Sequence, residues 1–161
     1  MKKGFAIFEI SASLLFYSCK PASKTVEGAS LKETQAWMHS FAADRGDGAT
    51  FEGSGCSAAI TWLDNGSPYL TFSFSFKDLD PNTARAIQTV VSPPALQNLW
   101  RATAVTTNNL KKVDVYNHNS DVRSRDSVMA GITFHGKEDA DRFAKALHNA
   151  ILLCGGKPSA F

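Results

Sequence analysis

The chain has 161 residues and a mass of 17.4 kDa, the size of one ordinary domain and too short for two full cores joined by a linker. Hydrophobic residues make up 43% and charged residues 20%, with 11 Gly and 6 Pro; that balance excludes disordered and collagen-like chains. Seventeen basic side chains against 15 acidic ones leave a formal net charge of +2. So weak a field does not hold a polyanion, and nucleic acid is not expected as a partner.

Met1-Lys2-Lys3 is basic, and residues 4–15 form a mostly apolar run that contains Glu9. This is the shape of a secretory signal over residues 1–18, and it falls well short of the ~20 apolar residues that span a bilayer. Phe16-Tyr17-Ser18-Cys19 with Leu14-Leu15 upstream resembles the lipobox of bacterial lipoproteins. In that group the Cys is diacylated and becomes the mature N-terminus, which makes Cys19 the candidate lipidation site. The group has an aliphatic and a small residue where Phe16 and Tyr17 stand, so ordinary cleavage nearby, as after Ala22, and no cleavage both stay open. Loss of residues 1–18 would leave 15 basic and 14 acidic side chains.

Residues 19–29 are polar, include Pro21 and lack periodicity, and read as a tether. Residues 30–156 form the expected single domain, with a tail over 157–161. Ser30-Leu31-Lys32-Glu33 is a capping box, opening a helix that runs to about Ala43. Leu31, Thr34, Met38, Phe41 and Ala42, with Trp37 beside them, share one stripe, and Gly46 and Gly48 end it.

From Ala49 the period changes from 3.6 to 2. A short strand lies near residues 50–52. Cys56, Ala58, Ile60 and Trp62 alternate on the next strand, and Asp64-Asn65-Gly66 suits a tight hairpin. Leu70, Phe72, Phe74 and Phe76 then alternate with Thr71, Ser73, Ser75 and Lys77: one face is aromatic and the other hydroxylic, as in a half-buried antiparallel strand. After a turn at 78–82, residues 84–91, 100–107, 111–118 and 127–134 give four more strand-like runs, seven in all. Residues 119–126 read as a polar loop. The last element is a helix with Glu138 and Asp139 in its first turn and Gly155-Gly156 as its stop. Ala140, Phe143, Ala144, Leu147, Ile151 and Cys154 share its apolar face.

The fold class is therefore α+β: an antiparallel seven-strand sheet, or a partly open barrel, with an N-terminal helix and a C-terminal capping helix. Thr133-Phe134 followed by residues 138–147 resembles the last strand and helix of pleckstrin-homology-like domains. An open sheet with both helices on one face is the alternative. The Trp37 helix, Asp78-Leu79-Asp80-Pro81 and the ending at residues 144–156 resemble a group of small exported bacterial proteins of unknown function. That likeness implies an export context and no site residues.

Beyond Cys19 the cysteines are Cys56 and Cys154, 98 positions apart. In an oxidising compartment they are expected to pair; two separate buried thiols are the alternative. His39, His118, His135 and His148 lack metal-ligand spacing. Asp78 and Asp80 read as turn caps, and Arg45-Gly46-Asp47 as a chance tripeptide at a helix end. Gly53-Ser54-Gly55 lacks the context of a phosphate loop, and Ser57 and Ser67 lie in no nucleophile elbow. No catalytic, cofactor-binding or metal residue is assigned. Arg101, Lys111, Lys112, Arg123 and Arg125 outline a modest positive rim, and the Phe72, Phe74, Phe76 stripe reads as core or as part of an apolar-ligand pocket.

These readings lead to a non-catalytic exported binding or interaction domain of the periplasm or envelope, lipid-anchored at Cys19 or free, whose partner is an unidentified protein or small ligand. A small apolar-ligand or lipid-binding barrel is the alternative, and a hydrolytic enzyme the third reading. Intact mass spectrometry of the chain recovered from a bacterial host checks the export reading. The expected chain starts at or near Cys19 and is about 2 Da lighter before reduction; a full-length, fully reduced chain would sink it.

Overall fold

The computed structural model describes residues 28–89, 99–127 and 129–160. The expected signal, Cys19 and most of the 19–29 tether lie outside the described residues.

The capping box forms as the sequence anticipates. Ser30 Oγ accepts from the Glu33 N–H at 3.3 Å, and the Glu33 carboxylate accepts from the Ser30 N–H at 2.9 Å. Helix α1 follows over Leu31–Arg45 and buries Thr34, Met38, Phe41 and Ala42, together with Gln35. Strands β1 (Ala49–Ser54), β2 (Ser57–Asp64) and β3 (Ser67–Ser75) then form an antiparallel meander. Asn65 and Gly66 link β2 to β3 with φ of 48° and 80°. Two positive φ values in a two-residue loop match the twist of the flanking strands, which is why Asn-Gly occurs here.

Two short 3₁₀ turns at Phe76–Asp78 and Pro81–Thr83 carry the chain out of this sheet. Strands β4 (Arg85–Gln88) and β5 (Trp100–Val105) start a second sheet. Strands β6 (Val113–Asn117) and β7 (Val122–Ser127) return to the first, and β8 (Met129–Phe134) joins the second. The strand orders are β1-β2-β3-β6-β7 and β4-β5-β8. The architecture is thus α+β and antiparallel with two helices, as expected, but eight strands divide into sheets of five and three with no closed barrel among the described residues. The additional strand is β7, which occupies most of the expected polar loop. Its only large apolar side chain is Val122, which is exposed; an edge strand lying outside the core carries no hydrophobic alternation to read.

Helix α2 spans Lys137–Leu153. The Gly155 N–H donates to Leu152 O at 3.0 Å and the Gly156 N–H to Ile151 O at 2.9 Å, a Schellman ending that needs the positive φ of Gly155, 75°. The face expected to be apolar is buried: Ala140, Phe143, Ala144, Leu147 and Ile151 pack into the core. Phe143 meets Phe51 of β1 edge-on at 5.8 Å and Phe134 of β8 at 5.3 Å, so α2 closes the core across both sheets. Helix α1 abuts it, with Asn149 Nδ2 donating to Thr34 Oγ1 at 3.0 Å.

Cys56 and Cys154 form a disulfide with Cα atoms 5.6 Å apart. Cys56 sits in the two-residue turn between β1 and β2, one step outside the strand expected to hold it. That turn is anchored by three further hydrogen bonds. Gln35 Nε2 of α1 donates to Gly55 O at 2.8 Å, while the Phe76 N–H and the Ser75 hydroxyl donate to Cys56 O at 2.9 and 3.1 Å.

The C-terminal tail is tied down as well. Ser159 N–H donates to Asp80 Oδ2 at 2.8 Å, and Asn82 N–H to Asp80 Oδ1 at 2.9 Å. Asp80 is buried. Burial pushes its pKa up, but the hydrogen bonds from Ser159 and Asn82 outweigh it and hold the carboxyl below its ordinary value. A carboxyl whose pKa is lower folded than unfolded adds stability above its unfolded pKa, and that stability is lost as pH falls through the folded one.

Replacing both Cys56 and Cys154 by Ser is expected to lower the unfolding free energy by about 4–5 kcal/mol, the chain-entropy value for so long a loop, measured by urea denaturation. Acid titration followed by circular dichroism should show stability falling below about pH 4. Asp80→Asn should flatten that part of the profile while lowering stability at neutral pH.

Candidate functional site

The alternation of β3 sends Phe74 into the core and Thr71, Ser73 and Ser75 to the opposite face of the five-stranded sheet. Register then extends this polar face across the neighbouring strands. Thr61, Thr71, Tyr116 and Arg123 lie in one cross-strand row, and Glu52, Ala59, Ser73 and Asp114 in the next. The face holds two grooves of about 730 and 630 Å³ that share Ser73, Asp114 and Arg125. They make one trough, running from Glu52 and Ser57 to His118 and Arg123.

Side chains in the trough orient one another. Arg125 donates to both oxygens of Asp114 through Nε and Nη2, and that bidentate bond holds the Asp114 carboxyl below its usual range. Lys112 Nζ meets Asp78 Oδ1 at 2.7 Å. The Tyr116 hydroxyl donates to Asp121 Oδ1 at 2.7 Å, which raises the phenol pKa, and Arg123 stacks over the Tyr116 ring at 4.9 Å. Thr61 and Thr71 hydroxyls lie 3.0 Å apart, and Thr71 Oγ1 lies 2.8 Å from His118 Nε2. Lysine and arginine in the trough number three, Lys112, Arg123 and Arg125, against the three carboxylates Glu52, Asp78 and Asp114.

The residues singled out in the sequence are distributed as follows. Cys56 and Cys154 are together in the disulfide; Cys19 lies outside the described residues. His39 bonds Phe51 O, His148 bonds Pro81 O, and His135 lies 3.3 Å from Asp47, so the four histidines occupy separate places. Asp80 caps the turn at Pro81–Thr83 as read, whereas Asp78 pairs with Lys112. The expected basic rim is divided. Lys112, Arg123 and Arg125 line the trough, while Arg101 is half-buried on the second sheet. Of the aromatic stripe, Phe74 and Phe76 are core, and Phe72 is half-buried beside Trp62, their rings 6.0 Å apart.

The trough as a unit was not apparent in the sequence. The hydroxyl alternation on β3 was its one local signal, since the pairing that adds Asp114 and Arg125 joins residues about 40 and 50 positions away from Ser73. Compared with known proteins, the chain matches no family model, no curated protein and no solved structure.

Arg125→Gln is expected to return the Asp114 carboxyl toward its ordinary pKa, raising its titration midpoint. The Cγ resonance of Asp114 followed against pH by NMR measures this; an unmoved midpoint would show that the bidentate pair is not formed in solution.

Proposed function

We propose that this chain is a non-catalytic exported binding domain, anchored through Cys19 or free in the periplasm, whose ligand lies in the trough of the five-stranded sheet. The observation carrying this reading is the continuous groove across the five strands of this sheet, lined by hydroxyls and by ion pairs already fixed in place. Pre-oriented donors and acceptors lower the ordering cost of binding. Because the fixed charges balance, they favour a polar, net-neutral ligand recognised through many hydrogen bonds, and a saccharide has that chemistry. The disulfide and the basic-then-apolar N-terminus support export.

Catalysis is less well supported. His118 lies beside Thr71, but Asp114 is engaged by Arg125 and Asp121 by Tyr116, so neither carboxylate orients the imidazole as hydroxyl nucleophile chemistry requires. The apolar-ligand alternative draws on Phe72 alone, since Phe74 and Phe76 are consumed in the core.

Titration of the ¹⁵N-labelled protein with neutral oligosaccharides tests the reading. Saturable shifts should concentrate on Thr71, Ser73, Tyr116 and Arg125, and Ser73→Leu, which fills the trough at an exposed position, should weaken binding about ten-fold or more. Shifts confined to loops away from the sheet, or no saturable shifts, would overturn it.

A further inference from the structure

Arg101 is set apart from the ion-paired arginines by a side-chain nitrogen that is closed off from solvent. Arg125 is paired with Asp114, and Arg142 lies 3.9 Å from Asp139 and over the Phe41 ring. Arg101 is half-buried on the central strand of the three-stranded sheet, opposite Ile87 of β4 and Thr133 of β8. Its Nε is closed off from solvent and has no hydrogen-bond acceptor among the described residues. Its one described contact of this kind is with an aromatic ring, the guanidinium carbon standing 4.9 Å from the Trp62 centroid. Among the described residues no carboxylate offsets the loss of hydration, and burial lowers its pKa.

Trp62 is itself held in place. Its indole N–H donates to Gly131 O of β8 at 3.3 Å, and its ring leans on Phe72. Phe72, Trp62, Arg101 and Ile87 thus make a half-buried strip that passes from the inner face of one sheet to the facing side of the other. A desolvated cation without an anion weakens a fold, and such groups in native proteins call for an explanation. The guanidinium fork matches carboxylate and phosphate oxygens, stacks on aromatic faces and gives up water more readily than an ammonium.

We propose that Arg101 and Trp62 form a binding site for an amphipathic oxyanion, a carboxylate or phosphate group carried on an apolar body. The oxyanion takes the free donors of Arg101, and the apolar body lies along Trp62 and Phe72. The site is on the opposite side of the five-stranded sheet from the trough, and stands independently of it.

The Arg101 Nε–Hε resonance, followed by NMR in the full chain, is the direct probe. Decanoate or decyl phosphate should shift it saturably, and whichever binds more tightly identifies the oxyanion. Decanol, with the same tail and no charge, should bind at least about ten-fold more weakly. Arg101→Met should lose binding to a similar extent yet raise the Tm, because it removes an unpaired desolvated charge while keeping much of the side-chain volume. Ser73→Leu should leave decanoate binding unchanged, which separates this site from the trough. An immobile resonance with both anions would overturn the proposal. So would an Arg101→Met variant that melts lower and binds as before, since the arginine would then serve packing on Trp62.

Discussion

The turn at Gly55-Cys56 is the point on which the arrangement of the other elements depends. It receives the Gln35 side chain from α1, the Phe76 N–H and the Ser75 hydroxyl from the end of β3, and the Cys154 sulfur from the end of α2. A β-hairpin tip has few contacts of its own and would otherwise be among the first parts of a domain to open. Here it joins both helices to the first sheet, and the covalent bond closes a loop of 98 positions that takes in every element from β2 to α2. A crosslink of that reach acts chiefly by restricting the unfolded chain.

Fixing the tip has a consequence for the sheet beyond it. With β1, β2 and β3 held against α1 and α2, the aromatic side of the meander is committed to the core, and its hydroxylic side has to face outward. β6 and β7 then extend that outward face rather than cover it. The trough is the product: a polar surface whose backing is a rigid core of Phe51, Ile60 and Phe74, and whose Asp114–Arg125 pair stands on β6 and β7, strands about 40 and 50 positions beyond Ser73 in the chain. On the other side of the sheet the core is less complete. Phe72 and Trp62 are only half-buried there, and the Arg101 guanidinium takes a place that a fully packed interior would give to an apolar side chain.

How much was legible follows from the range of each signal. The capping box at Ser30, the Asn65-Gly66 hairpin and the Gly155-Gly156 ending are local chemistry, in which the deciding groups lie within a few residues, and each appears as read. The β3 alternation was equally clear because one of its faces enters the core. β7 was hidden for the converse reason. As an edge strand it is held by backbone pairing to β6, and backbone hydrogen bonds leave little trace in side-chain type.

Sequence alone determined the α+β class, the two helices and their ends, the antiparallel meander and which of its faces is polar, because these rest on periodicity and short-range hydrogen bonds. Only the tertiary structure decided that the strands divide into sheets of five and three, that Asp114 and Arg125 complete a trough begun by Ser73, and that Arg101 lies against Trp62. Those outcomes depend on register and on contacts between residues some 40 to 50 positions apart. Loop closure over such distances is set by the packing of the whole chain, so no local pattern encodes it.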